Sequence, residues 1–91
     1  MNIPKTFEEF VELTYIKYMY ILPKKLTDLH RKRALEKGGF LYNGYYYEKG
    51  GKIYRSFMNG TRTLLFQDLS IKQMFVFIEN LENKNFLEEE K

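Results

Sequence analysis

Apolar positions recur at three- and four-residue intervals near the start of the chain: Phe7, Phe10, Val11, Thr14, Tyr18 and Ile21. That period predicts a helix. Thr6, with Glu9 three residues on, forms a capping box after Pro4 and marks its start. Leu13, Ile16 and Tyr20 widen the stripe, so the helix is expected to be buried on more than one side. Pro23 ends it, because the residue before a proline is pushed out of the helical region. The first unit is thus 1–22.

A second, basic unit spans 23–39. Residues 24–37 fit a helix that stops at Gly38-Gly39, where a glycine can take the left-handed C-terminal position. Its apolar stripe is thin: Leu22, Leu26 and Leu29, running into Arg33. At about 100° per residue, Lys24 and Arg31 stack on one line and Lys25 and Lys32 on the next. Four of the six bases then share an outer face. His30, beside the leucines, reads as a packed or solvent-edge residue rather than a ligand.

Residues 40–66 change period. Gly50-Gly51 and Asn59-Gly60 are two-residue hairpin signals, since primed turns need positive φ at their central positions. Counting outward pairs Tyr47 with Tyr54 and Phe57 with Arg62. The core face of this three-stranded antiparallel meander then carries Phe40, Tyr42, Tyr46, Ile53, Phe57, Leu64 and Phe66. The wetter face carries Tyr45, Tyr47, Lys49, Lys52, Tyr54, Ser56, Thr61 and Thr63, with Leu41, Met58 and Leu65 at its margins. Glu48, Arg55 and Arg62 fall on the core face and must reach a rim or pair together. Asn43-Gly44 supplies either a further turn or a bulge.

A last helix is predicted within 67–82, opening at a second capping box, Ser70 with Gln73. Ile71, Met74, Phe75, Ile78 and Leu81 form its core stripe. Residues 83–91 are polar and acidic and read as a frayed tail that Phe86 and Leu87 dock loosely. The expected fold is α+β: two N-terminal helices, the meander, and a C-terminal helix packed on one sheet face.

Composition narrows the chemistry. Ninety-one residues make one domain. The chain has no cysteine and one histidine, which removes disulfides and thiolate sites and leaves His-based metal sites and triads almost nothing to build on. Ser56 and Ser70 have no histidine–carboxylate setting, and the glycine pairs lack a strand–loop–helix phosphate motif. No catalytic residue, metal ligand or cofactor is assigned. No basic stretch leads into an apolar segment, and no uncharged apolar run approaches the roughly 18 residues of a membrane helix. The expectation is a cytoplasmic, non-catalytic domain without a membrane partner.

The net charge of +3 is unevenly spread. Residues 23–66 carry +7, while 1–22 carry −1 and 67–91 carry −3. A basic centre between acidic ends is the footprint of a face that meets phosphates or an acidic protein. Eight tyrosines and eight phenylalanines add a second signal, because tyrosine commits to burial less than phenylalanine does. On the wetter face Tyr45, Tyr47 and Tyr54 stand beside Lys49 and Lys52. They form either a cross-strand ladder, worth roughly 0.2–1 kcal/mol per pair, or a stacking platform worth roughly 1–3 kcal/mol per base.

The order helix–strand–strand–strand–helix is similar to that of double-stranded-RNA-binding domains, although their basic cluster opening the last helix has here only Lys72. Residues 44–81 also look like the three strands and helix of the amino-terminal DNA-binding domains of tyrosine integrases, which read DNA with the sheet. Two functions follow as expectations. The first is a small nucleic-acid-binding protein (RNA or DNA) using Tyr45, Tyr47, Lys49, Lys52 and Tyr54, extended by Lys25, Arg31 and Lys32. The second is a phage or mobile-element protein that inhibits a host or defence enzyme, itself a nucleic-acid-processing protein, by protein–protein contact.

Overall fold

The computed structural model describes residues 3–18 and 24–89. Helix α1, Phe7–Tyr18, is followed by α2, Lys24–Lys37. Four strands come next: β1 Gly39–Tyr42, β2 Tyr45–Glu48, β3 Lys52–Ser56 and β4 Arg62–Phe66. Helix α3, Ile71–Glu89, follows the sheet. The class is α+β, with a four-stranded antiparallel sheet in the order β1-β2-β3-β4 rather than the expected three strands. No described helix is long and apolar enough to cross a membrane.

Local chemistry sets the helix ends. The Glu9 N–H donates to Thr6 Oγ1 at 3.1 Å, and the Glu9 carboxylate accepts from the Lys5 N–H at 3.4 Å. At α3 the box is fully reciprocal: Gln73 N–H donates to Ser70 Oγ at 3.1 Å, and Ser70 N–H to Gln73 Oε1 at 2.8 Å. Helix α2 stops at Gly38, whose φ of 75° lets its N–H reach the Ala34 carbonyl at 2.9 Å. The proposed stop at Pro23 and the stripe positions Tyr20, Ile21 and Leu22 lie outside the described residues. Helix α3 continues to Glu89, so the acidic segment expected to fray from Asn83 begins as helix.

The additional strand comes from Asn43-Gly44, which is a turn. Both residues have positive φ, 52° and 81°, and Tyr42 pairs with Tyr45 around them, the geometry of a primed two-residue hairpin. The other two hairpins are longer than counted. Lys49, Gly50 and Gly51 separate the paired residues Glu48 and Lys52. Beyond Ser56, which pairs with Arg62, Phe57 and Thr61 close a further loop through a 3.0 Å backbone bond. Gly51 leaves the strand because Leu69 holds it: the Leu69 N–H donates to the Gly51 carbonyl at 3.0 Å, and the Leu69 backbone occupies the space a Cβ would need. The register therefore slips by one residue at each hairpin. A one-residue slip exchanges faces.

Tyr45 and Tyr47 accordingly sit on the helix-covered face, not the wet one, and Tyr47 is the largest fully buried side chain described. Tyr46 and Leu64 go to the open face, with Glu48 and Arg62. Phe57, expected in the core, is half-exposed in the hairpin loop. Arg55 stays on the helix side as expected and reaches a rim, where Nη1 donates to the Gly44 carbonyl at 3.2 Å.

Phe10 lies at the centre of the core. Its ring meets those of Phe7, Phe40, Tyr47 and Phe75 at 5.4–6.3 Å. Phe77 of α3 meets Tyr45, Tyr47 and Phe66. Ile16, expected to widen the buried stripe, is exposed. Lys17 Nζ bridges to Glu79 at 3.1 Å and ties α1 to α3; that hydrogen bond raises the lysine's pKa. Helix α2 packs on α1 and β1. It buries Ala34, with Thr27 and Arg31 half-buried, while Leu26 and Leu29 are exposed instead of forming the packed stripe.

Candidate functional site

Alternation along β2 and β3 places Tyr46 and Tyr54 on the same face, as direct partners across the strands. Their ring centroids are 6.3 Å apart. The helices pack on the opposite face, where Phe10 meets Phe40 and Tyr47, Phe77 meets Tyr47, and Phe75 packs on Phe10. The face around the tyrosine pair is therefore open, and Leu41 and Leu64 beside it are exposed.

Two small residues shape this face. Gly39 lies under the Tyr46 ring; a Cβ there would collide with its hydroxyl end. Ser56, opposite Arg62, leaves room for the guanidinium to lie across β3 with its carbon 3.9 Å from the Tyr46 centroid. This is a close cation–π contact. Tyr54 donates its hydroxyl to Glu48 Oε2 at 2.7 Å, which holds the tyrosine's pKa above its ordinary value. Lys52, opposite Glu48, is exposed. The open face thus presents two tyrosine rings, one guanidinium, one ammonium and one carboxylate.

The structure divides the residues singled out from the sequence. It keeps Tyr54 and Lys52 together on the open face. It removes Tyr47 to the core and Tyr45 to the helix side, where Arg55 lies 4.9 Å from its ring. Lys49 is in the β2–β3 loop with its N–H bonded to the Gly38 carbonyl at 2.7 Å, beside the end of α2. Arg31 turns toward α1 and bridges Glu12 at 3.6 Å and Asp28 at 3.0 Å, so it does not join the outer bases. Lys25 and Lys32 are exposed. Because α2 belongs to the helix layer, these two lysines and the tyrosine pair do not share a face.

Tyr46 and Arg62 are the residues that sequence reasoning misses. The run Tyr45-Tyr46-Tyr47 has no phase of its own; the turns on either side set it, Asn43-Gly44 pairing Tyr42 with Tyr45 and the three-residue loop pairing Glu48 with Lys52. Among the described residues no group of three or more His, Asp or Glu side chains could hold a metal ion. Compared with known families, curated proteins and solved structures, the chain matches none. The fourth strand also departs from the element order of the two nucleic-acid modules it resembles in outline.

Proposed function

We propose that this protein binds single-stranded nucleic acid on the open face of its sheet, as a binding domain with no catalytic group of its own. The observation that carries the reading is the Tyr46–Tyr54 pair, uncovered by any described helix and flanked by Arg62 and Lys52. A base stacks on the Tyr54 ring whatever its sequence, at about 1–3 kcal/mol, while Arg62 lies over the ring of Tyr46. A guanidinium and an ammonium beside the rings suit the phosphates between stacked bases. A single strand fits better than a duplex, because bases must be splayed out to reach rings lying on a sheet.

Lys25 and Lys32 of α2 add attraction at a distance and speed encounter, while the contact itself is made by Tyr46, Tyr54, Lys52 and Arg62. The test is titration of labelled single-stranded RNA and DNA at two salt concentrations. With Lys52 and Arg62 on phosphates, the logarithmic salt slope is about −1.4, since each single-strand contact contributes roughly 0.7. Failure to bind either strand at low salt overturns the reading. The same tyrosines and arginine would then serve a protein partner, where Tyr and Arg are enriched among hot spots.

A further inference from the structure

Stacking on Tyr54 fixes where a base sits without choosing which base it is. Choice needs a group at the edge of the base. Glu48, half-buried at the end of β2, is placed to be that group. Two residues beyond Tyr46, it shares the open face and lies diagonal to Tyr54, whose direct partner is Tyr46. Tyr54 closes the diagonal by donating its hydroxyl to Glu48 Oε2 at 2.7 Å. The ring therefore leans toward β2 with the carboxylate at its hydroxyl end, where a base laid on the ring brings an edge.

A carboxylate is out of place on a face that receives phosphates, because like charges repel. Glu48 is not neutralised there. Lys52 is its direct partner across the strands, yet Glu48 forms no ion pair among the described residues. Holding the Tyr54 ring does not call for the charge, since the amide oxygen of a glutamine accepts the same bond. What a carboxylate adds is two acceptor oxygens side by side, about four lone-pair sites in all. Tyr54 uses one of them.

Guanine alone among the bases sets two donors side by side, N1–H and N2–H, on its Watson–Crick edge. Adenine and cytosine place a ring-nitrogen acceptor beside the amino group, and uracil and thymine flank N3–H with carbonyls on both sides. In each of these four a lone pair faces the carboxylate. We propose that Glu48 is the specificity-determining residue of the open face, accepting from N1–H and N2–H of a guanine stacked on Tyr54. Two-pronged, charge-assisted bonds of this kind are among the strongest, and single-stranded bases expose the edge that makes them. Lys52 and Arg62 keep the phosphates. The inference rests on the nucleic-acid reading above and gives it a base.

The experiment measures binding of a short uridine tract, the same tract with one central guanosine, and the same tract with inosine there, which keeps N1–H and lacks the N2 amino group. Wild type is expected to bind the guanosine tract about five- to a hundredfold more tightly than the uridine tract, the range for one bidentate contact, with inosine between. Glu48→Ala, with an unchanged circular dichroism spectrum, should bind all three alike and the uridine tract no worse than wild type does. A wild type indifferent to guanosine, equal binding of guanosine and inosine, or a preference that survives in Glu48→Ala would each overturn the proposal and leave the nucleic-acid reading standing. Equal weakening of all three tracts by Glu48→Ala would overturn it too, because Glu48 would then only hold the Tyr54 ring. Failure of wild type to bind any tract at low salt would overturn both.

Discussion

The guanidinium of Arg62 lies 3.9 Å from the centroid of Tyr46, reaching across β3 over the small side chain of Ser56. The contact holds a cation over one ring of the open face and leaves the neighbouring ring, Tyr54, for stacking. The two roles separate experimentally. Arg62→Ala should weaken oligonucleotide binding and reduce the salt slope by about 0.7, one phosphate's share on a single strand. Tyr54→Ala should cost about 1–3 kcal/mol of binding with the slope unchanged, because stacking releases no counterions. Fluorescence anisotropy at several salt concentrations reads both; identical slopes for wild type and Arg62→Ala would remove Arg62 from the phosphate contact.

Tyr47 is fully buried, and its hydroxyl has no hydrogen-bond partner. A buried unsatisfied hydroxyl is a cost rather than a support. Tyr47→Phe is therefore expected to raise stability by about 1 kcal/mol, while Tyr47→Ala and Phe75→Ala each lose about 3–5 kcal/mol by emptying a core aromatic site. Phe57→Ala should change stability by about 1 kcal/mol or less, as its ring is half-exposed. Thermal melts of the four variants give this order, and a loss on Tyr47→Phe would show that the hydroxyl is satisfied.

Gly51 and Gly60 make a matched pair. Both have strongly positive φ, 95° and 89°, but a Cβ at Gly51 strikes the Leu69 backbone while one at Gly60 meets open space. Gly60→Ala should cost about 1 kcal/mol for the left-handed backbone alone. Gly51→Ala should cost clearly more, because the Leu69 bond that fixes the hairpin length must give way. Equal melting temperatures would mean that the contact with Leu69 does not set the register.

Alkaline pH should unfold the protein early. Burial raises the pKa of Tyr15, Tyr18, Tyr42 and Tyr47 above the ordinary 10.0, and Tyr42 also donates to Glu82. A group whose folded pKa is raised stabilises fully below its unfolded value, and that stability is lost as pH rises past it. Denaturant unfolding should thus show stability falling from about pH 10 upward. Tyr47→Phe removes one such group and should flatten the fall, and an identical slope in that variant would contradict the assignment.

The helix boundaries are legible in the sequence because they depend on local chemistry. Thr6 with Glu9, Ser70 with Gln73, and Gly38 each act within four residues, and each acts as its pattern implies. The faces of the sheet are not legible in this way. Whether Tyr46 or Tyr47 is buried turns on two loop lengths: Asn43-Gly44, which as a turn sets Tyr47 opposite Phe40, and the loop ending at Gly51, which a hydrogen bond from Leu69, eighteen residues away, holds. Helix α2 misleads for a related reason. Its leucines suggest the packed side, but Leu26 and Leu29 are exposed and the residue that it buries is Ala34. What survives is the kind of surface expected, tyrosines beside cations on an uncovered sheet face, with Tyr46 and Arg62 where Tyr47 and Lys49 were expected.

The most direct test is amide chemical-shift mapping of the labelled 91-residue chain with an unlabelled single-stranded oligonucleotide. The account predicts perturbations clustered at Tyr46, Lys52, Tyr54 and Arg62, with much smaller shifts at Lys25 and Lys32 on α2. Perturbations confined to α2, or none at low salt, would contradict it.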